Sequence, residues 1–318
     1  MEILVKSGGR ICDITEMCTD LSWTDMLNEG SSILEMSYIK NGLTLENGDV
    51  IRVTGETPEE GIFIGTVRKV GGDKSEIITV KAYDQLFVTK SKDIVVLENG
   101  TLKSLVQQMG IMLSLTLGTV EESGFVLKTI ASSDKTWLDL VNQGISDTLI
   151  GSTERDKYCL RDEYGSVCLW NMRNLQLPLV LGDESLCTDY QWEKSVADDY
   201  YNRVKILWED EGSGKMDMRT AEDQAAINRF GFLQYLETAQ GIDSAAKAQE
   251  RANQLLKLYN HESETLKLDC LGDLRVRAGN SIWGSIEDIS LNRRLIVKKV
   301  THTFLPVHTM KVEVMTDG

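Results

Sequence analysis

The segment INRFGFLQYLETAQGID (residues 227–243) decides how the C-terminal part of the chain folds. As a single helix it would carry Gly231 and Gly241 in its interior, each costing about 1 kcal/mol relative to alanine. As separate elements, a helix ends near Phe230, Gly231 stops it, and the short aromatic-rich run FLQYLET forms a strand. Gly241 then breaks the chain again before a helix capped by Asp243. The sequence favours the second interpretation and predicts a helix, a strand and a second helix.

The flanking sequence fits this interpretation. Upstream, VADDYYNRVKILWED alternates in the manner of a strand, with Tyr201 and Leu207 on one face and Val204 and Trp208 on the other. Thr220, followed by Asp223, resembles a capping box at the start of the first helix. Downstream, SAAKAQERANQLLKLYN repeats small and apolar residues every three or four positions, which predicts an amphipathic helix. Its alanines would let that helix lie close to a sheet.

The two ends of the chain are rich in short alternating runs. SILEMSYI, DVIRVTG, GIFIGTVRKV and EIITVKAYD are separated by the turn sequences KNG, ENGD, ETPEEG and GGDK. The last sixty residues repeat the pattern in TLKLDCLG, LRVRAGNSIWG, RRLIVKKVTHTF and HTMKVEVM. Regularly spaced short strands are typical of β-sandwiches and barrels.

The middle of the chain has a different pattern. TLKSLVQQMG predicts a helix that Gly110 ends, and SDKTWLDLVNQGISDTLIG predicts another helix. YCLRDEYGSVCLWNM predicts a hairpin whose turn ends at Gly165. We therefore predict an α+β, predominantly β fold. A β domain (residues 1–100) and a second β domain (187–318), with helices around 220–230 and 243–260, flank a small α+β domain (101–186).

Composition limits the classes of function. The 318 residues include 49 acidic and 34 basic side chains, giving a net charge of −15. This balance argues against a surface that grips nucleic acid, because such binding depends on lysine and arginine neutralising phosphates. The N-terminus lacks the pattern of a signal peptide, and no apolar run approaches the roughly 20 residues that span a bilayer. We expect synthesis in a bacterial cytoplasm and no membrane anchor.

The sequence offers few candidates for catalysis. The six cysteines form no C-x-x-C pair, and zinc-ligand spacing is absent. His302 and His308 could meet across a hairpin, but a structural hydrogen bond is favoured over a metal, and His261 fits the end of a helix. Glu287 and Asp288 would point to opposite faces of a strand. No phosphate-binding loop occurs, so we predict no enzymatic activity and no catalytic, cofactor-binding or metal-binding residues.

Several segments together resemble a known family. GIFIGTVRKV with IITVKAYDQLFV, then YCLRDEYGSVCL, INRFGFLQYLE, LRVRAGNSI, VKKVTHTF and MKVEV occur in this order along nearly the whole chain. They resemble the baseplate hub proteins of contractile phage tails and phage-tail-like bacteriocins, in the branch of PBSX-like prophages. FVTKSKDI, after AYDQL, departs from the family pattern. The resemblance implies two tail-tube-like β domains, a homotrimeric ring with a central channel, and adaptation of the six-fold tail tube to the three-fold spike or tip.

The resemblance also implies partners and a location. These partners are the tail tube protein, the spike or tip protein, other baseplate and adaptor proteins and the tape measure protein, with DNA only in transit. An acidic channel lining would repel that DNA. The chain would end up in the baseplate of a virion or tail-like particle, and both a DNA-carrying phage and a headless bacteriocin remain open. The alternative function is a tail-associated peptidoglycan-degrading or cell-wall-binding protein.

Candidate interface residues lie in two loops and one strand. The loops ETPEEG and EGSGK are candidates because exposed loops of a β ring would meet the layers above and below, although each could equally be a plain solvated turn. The aromatic strand is predicted to be half core and half interface. The candidates are Glu56, Glu59, Glu60, Lys215, Tyr201 and Trp208.

Overall fold

The computed structural model describes residues 1–57, 59–197, 199–210, 215–239 and 242–316. The chain forms two compact units, unit 1 (Met1–Gln191 and Leu266–Gly318) and unit 2 (Trp192–Thr265). The fold is predominantly β with several helices, which confirms the predicted class. The three-domain division with boundaries at residues 100 and 186 remains a prediction.

Unit 1 begins with a run of strands and short 3-10 turns, as the alternating N-terminal sequence predicts. These elements are β1 (Glu2–Ser7), β2 (Arg10–Asp13), β3 (Cys18–Met26), β4 (Ile33–Ile39), β5 (Val50–Thr54), β6 (Gly61–Gly72), β7 (Ile77–Tyr83) and β8 (Val95–Leu97), with 3-10 turns at Thr15–Met17 and Gln85–Lys90.

The middle of the chain holds two helices and a hairpin. In order they are α1 (Leu102–Met112), β9 (Leu117–Val120), β10 (Ile130–Ser132), α2 (Trp137–Gly151), β11 (Tyr158–Asp162), β12 (Val167–Asn171), a 3-10 turn (Met172–Asn174) and β13 (Gln176–Gly182). Thr101 and Thr136 each form a capping box with the residue three positions later. The predicted hairpin is present, with Gly165 at φ +86° in its turn, whereas α1 continues past Gly110 to Met112.

β14 (Cys187–Ser195) leads out of unit 1, and β18 (Ser263–Leu271) leads back into it. The last strands are β19 (Ser281–Ile286), β20 (Leu291–Thr303) and β21 (Thr309–Thr316). The run LRVRAGNSIWG is a strand only from Ser281 onward. The residues before it form turns, including Gly279 at φ +88°, where a side chain would be strained.

Unit 2 contains residues 227–243, for which the sequence predicts a helix, a strand and a second helix. Its elements are β15 (Arg203–Asp210), β16 (Lys215–Glu222), α3 (Gln224–Phe230), β17 (Gln234–Thr238) and α4 (Ala245–Tyr259), and the sheet order is β16-β15-β17. The predicted helix, strand and helix are all present, and Gly231 ends α3 at φ +87°.

Both predicted helix caps in unit 2 were wrong by a short distance. Thr220 lies in β16, and Asp223 itself caps α3 by accepting hydrogen bonds from the amides of Ala225 and Ala226. Ser244 caps α4, while Asp243 forms an ion pair with Lys247. Gly241 lies outside the described residues.

One large sheet runs through unit 1 in the order β14-β18-β21-β20-β3-β4-β7-β6-β5-β1-β2, and β19 pairs with both β20 and β13. Strands β1–β7, here called the first module, enclose a core around Leu21, Trp23 and Tyr38. Strands β13, β14 and β18–β21, the second module, enclose a core around Leu268, Val297 and Val312. A separate core around Trp137 joins α1, α2 and the hairpin β11–β12. None of the helices in the described residues is long and apolar enough to cross a membrane.

Candidate assembly surfaces

The two β modules are joined edge to edge through β3 and β20. These strands pair in antiparallel register from Ser22 opposite Thr303 to Met26 opposite Lys299. On the exposed side of this joint, the hydroxyl oxygens of Thr24 and Thr301 lie 2.9 Å apart in a hydrogen bond. The joint turns two modules that are far apart in sequence into one continuous sheet.

A buried ion pair fixes the other side of the joint. Arg277 Nε donates to Asp25 Oδ2 over 2.8 Å, and both side chains are largely buried. The Arg277 guanidinium also lies 4.7 Å from the centre of the Trp23 ring and donates to the carbonyl of Asp162 in the hairpin β11–β12. One arginine therefore contacts the first module and the hairpin while its own backbone belongs to the second module. Such a pair is costly to break from one side, because the remaining charge would be buried without a partner.

Two histidines extend this joint. His302 Nδ1 lies 3.0 Å from His308 Nε2, so the two rings meet across the β20–β21 hairpin as the spacing predicted. His302 Nε2 bonds to the carbonyl of Val276, and its ring stacks on Trp23. Burial lowers the pKa of His302 to about 4, with His308 contributing to the same direction. Among the described residues, no cluster of three or more potential metal ligands is found.

The exposed side of the large sheet, here called the polar face, carries lysines, carboxylates and hydroxyls in alternation. Lys299 lies opposite Glu313, and Lys311 lies opposite Thr301. On the first module the pattern continues, with Lys81 paired to Glu35. Further charged residues on these strands include Lys69, Lys267, Asp269 and Asp20. The residues named here are five lysines and four carboxylates, so this set carries no acidic surplus.

The acidic loop between β5 and β6 is a compact turn. Glu56, Glu59 and Glu60 are all exposed, whereas Pro58 lies outside the described residues. The Glu60 carboxylate accepts a hydrogen bond from the Glu56 amide over 2.9 Å, and the Gly55 amide donates to the Glu60 carbonyl. Glu60 therefore stabilises the turn, while Glu56 and Glu59 present free carboxylates at its surface.

The second predicted loop, EGSGK, lies mostly outside the described residues, which resume at Lys215. Lys215 is exposed at the start of β16, opposite Asp210. Its position at the end of an edge strand of the unit 2 sheet leaves the side chain accessible. Whether it contacts a partner remains a prediction.

The two aromatic candidates occupy different environments. Trp208 is 1% exposed and lies with Val204 and Ile206 on the face of the unit 2 sheet that α4 covers. It is therefore a core residue of unit 2 and offers no surface to a partner. Tyr201 is half-buried, and its ring packs against those of Tyr235 and Tyr259 at centroid distances of 5.3 and 5.6 Å.

Sequence reasoning missed an apolar surface on unit 2. The face of its sheet opposite α4, here called the open face, carries Met216 at 58% exposure and Met218 at 55%. Met218 lies opposite Leu207, and Leu236 lies opposite Lys205 on the same face. Exposed Phe232 adjoins Arg203. The alternation in KMDMRT is the sequence signal that could have revealed it, since Asp217 and Arg219 turn to the other face.

Comparisons with known proteins agree with this architecture. The chain matches the YqbQ-like family over residues 21–315. It is 23% identical to the phage-like element PBSX protein XkdQ of Bacillus subtilis over 242 residues, covering 75% of this chain and 73% of that protein.

Two solved structures share the fold. The 43 kDa tail protein of prophage MuSo2 from Shewanella oneidensis superposes with a TM-score of 0.72 at 12% identity, covering 99% of this chain and 98% of that one. A component of the type VI secretion system of Escherichia coli gives a TM-score of 0.56 at 9% identity, covering 95% of this chain and 74% of that one. That component is itself structurally similar to the T4 tail proteins gp27 and gp5. The chain belongs to the YqbQ-like family, and its resemblance to the PBSX branch of tail proteins is confirmed.

Proposed function

Starting from membership of the YqbQ-like family, we propose that this chain is a structural baseplate hub of a contractile injection system. Three copies form a ring that adapts the six-fold tail tube to the three-fold spike or tip and surrounds a central channel. Its partners are further copies of itself, the tube protein, the spike or tip protein and neighbouring baseplate proteins. This function is structural and involves no catalysis.

The observation that carries the proposal is the joint between the two β modules. Pairing of β3 with β20 holds two β modules side by side in one chain. Three such chains supply six modules, which is the number that a six-fold tube requires from a three-fold partner. Closed cyclic assemblies are the common way for identical chains to associate.

The composition of the polar face supports placing this face on the channel wall. A wall facing a water-filled channel must be hydrated and must not hold its cargo tightly. Lysines paired with carboxylates, as at Lys311 with Asp269 and Lys81 with Glu35, provide such a surface, because the negative charge beside each of these lysines offsets its positive charge. A channel lined by this face would be mixed in charge, and we propose this in place of the acidic lining that the composition led us to expect.

The open face of unit 2 supports contacts with other baseplate proteins. Contiguous exposed apolar side chains on a soluble protein commonly mark a protein–protein contact. Met216 and Met218 lie on β16 and Leu236 lies on β17, on either side of the central strand β15. Together with Phe232 they make the open face largely apolar. In the assembled particle this face would be covered by a partner.

Light scattering of the purified chain over a range of concentrations, alone and with its tip protein, tests the proposal. We expect a mass of three chains, either for the protein alone or on mixing. A chain that stays monomeric with every neighbouring tail protein would contradict the ring. A peptidoglycan zymogram tests the alternative function, and a clearing band from the pure chain would favour it over the hub.

A further inference from the structure

Two cysteines face each other on neighbouring strands of the second module. Cys187 opens β14 and Cys270 lies in β18, which is the neighbour of β14 in the sheet. The Leu271 amide donates to the Leu186 carbonyl over 2.9 Å, so these residues form a hydrogen-bonded antiparallel pair. The next pair along the ladder is Cys187 with Cys270, and it is of the non-hydrogen-bonded type.

This pair type brings side chains close enough for a covalent bond. Opposite Cα atoms in a non-hydrogen-bonded antiparallel pair lie about 4.5 Å apart. Disulfides occur at Cα separations of about 4.4–6.8 Å, so this position lies at the short end of the permitted range. The Thr188 hydroxyl donates to the Asp269 carbonyl over 3.0 Å, so the next pair along the ladder has the same register and places Cys187 opposite Cys270.

The two thiols differ in environment in a way that suits disulfide exchange. Cys270 is buried in the core of the second module, whereas Cys187 is half-buried at its edge and open to a small reagent. The hydrogen bond from Cys270 lowers the pKa of Cys187, and the same contact together with burial raises the pKa of Cys270. Cys187 therefore supplies the thiolate that attacks, and Cys270 keeps its proton until the second step.

We propose that Cys187 and Cys270 form a reversible cross-strand disulfide when the chain meets a low-molecular-weight disulfide such as oxidised glutathione. The Cys187 thiolate attacks one sulfur of oxidised glutathione, forms a mixed disulfide and releases one glutathione thiolate. Cys270 then loses its proton to solvent and attacks the Cys187 sulfur. The Cys187–Cys270 bond forms, and the second glutathione leaves as its thiolate. The two protein thiols are oxidised, and one glutathione disulfide is reduced to two thiols.

The position of the pair along the chain gives the bond a defined effect. Cys187 precedes the first residue of unit 2, Trp192, and Cys270 follows its last residue, Thr265. The disulfide would close a covalent loop that contains all of unit 2, so β14 and β18 could not separate while it is intact. Constraint of a long loop stabilises the folded chain relative to the unfolded one. The chain would be reduced in a cytoplasm and cross-linked in an oxidising medium.

Incubation of the purified full-length chain with excess oxidised glutathione tests the proposal. We expect two of the six thiols to be lost, an intact mass lower by about 2 Da, and a Cys187–Cys270 peptide in a non-reducing digest. In the Cys270→Ser variant, the reaction should stop at a stable mixed disulfide between Cys187 and glutathione. In the Cys187→Ser variant, neither residue 187 nor Cys270 should react with glutathione. Cys168→Ser is the matched control, because Cys168 lies opposite Arg161 on its paired strand, and this variant should still form the bond.

A wild-type chain that keeps all six thiols under these conditions would overturn the proposal, as would a digest that links other cysteines. This readout on the wild-type chain does not depend on whether the serine variants fold. It is also independent of the proposed hub function, since it uses the isolated chain.

Discussion

The large sheet of unit 1 and the small sheet of unit 2 each have an exposed face, and these two faces differ in chemistry. The polar face alternates lysines and carboxylates with hydroxyls, as at Lys299, Glu313 and Thr301. The open face carries Met216 and Met218. The first can remain hydrated, whereas the second exposes apolar area that association would bury. This difference in chemistry is the basis for proposing that the polar face borders a channel and that the open face meets a partner.

The two sheets also differ in what holds them together. The large sheet depends on a joint between segments that are distant in sequence, fixed by Asp25 and Arg277. The small sheet is local in sequence and is covered by α4, whose Ala248 and Ala252 are fully buried against it. Substitutions in each region can therefore test whether a buried charge pair or apolar packing stabilises it.

The largest expected effect is at the joint. Arg277→Met would leave Asp25 buried without its partner, and we expect a loss of about 3–5 kcal/mol in the free energy of unfolding. Chemical denaturation measures this. Arg275→Met is the matched control, because the Arg275 side chain is exposed beside Asp273, and loss of an exposed ion pair should change the free energy of unfolding far less. Equal losses in the two variants would show that the buried pair does not hold the joint.

A second contrast lies within the unit 2 sheet. Trp208→Ala should lower the free energy of unfolding by about 3–5 kcal/mol, because it leaves a cavity under α4. Met218→Ala on the open face should change the free energy of unfolding by less than about 0.5 kcal/mol. Thermal or urea unfolding of the two variants distinguishes the faces. A Met218 variant as destabilised as the Trp208 variant would mean that the open face is packed within the chain itself.

Acid should weaken the joint through His302. Its pKa is lowered to about 4 in the folded chain, from 6.5 when unperturbed. Between these values the unfolded chain binds more protons, so the stabilisation is present above pH 6.5 and is lost as pH falls toward 4. We expect a loss of about 3 kcal/mol over this window.

Urea unfolding at successive pH values measures this dependence. His302→Leu should flatten the pH dependence in that window, and the control His261→Asn should retain it, because His302 is still present. A His302 variant with the same pH dependence as the natural chain would assign the effect to other groups.

A smaller effect is expected at the acidic loop of the first module. Glu60→Ala removes the side-chain acceptor of the hydrogen bond from the Glu56 amide and should lower the free energy of unfolding by about 1 kcal/mol. Glu59→Ala in the same loop should lower it by less than about 0.5 kcal/mol. Differential scanning calorimetry can resolve the two. The reverse order would mean that Glu59, not Glu60, stabilises the turn.

The smallest effect on stability should accompany a clear effect on assembly. Replacing Met216 and Met218 together by lysine should leave the melting temperature unchanged but reduce binding to other baseplate proteins. Lys128→Glu, an exposed charge change in unit 1, should reduce neither. Co-sedimentation with the assembled tail measures the binding. Normal co-sedimentation of the double variant would remove the open face from the interface.

The sequence predicted local structure well where periodicity and glycine act over a few residues. Alternation in NRVKILWED correctly assigned Val204 and Trp208 to one face, and Gly231 correctly marked the end of a helix. The caps failed because Thr220 and Asp243 are as suited to capping as Asp223 and Ser244, and only the actual start of each helix decides between them.

Neither the joint nor the open face could be predicted from the sequence, because both depend on contacts between distant segments. Asp25 and Arg277 are separated by 252 positions, and no local pattern encodes their contact. Trp208 was wrongly proposed as an interface residue. A strand pattern shows which residues share a face, but it does not show which of the two faces a helix will cover. The packing of α4 on the face that carries Trp208 depends on tertiary structure.

Electron microscopy of the chain assembled with its tube and tip proteins would test the hub most directly. We predict three copies around a channel at the junction of tube and tip, with the polar face, including Lys299 and Lys311, lining that channel. Any other copy number at the junction, or a polar face directed to the outside of the particle, would contradict the proposed function.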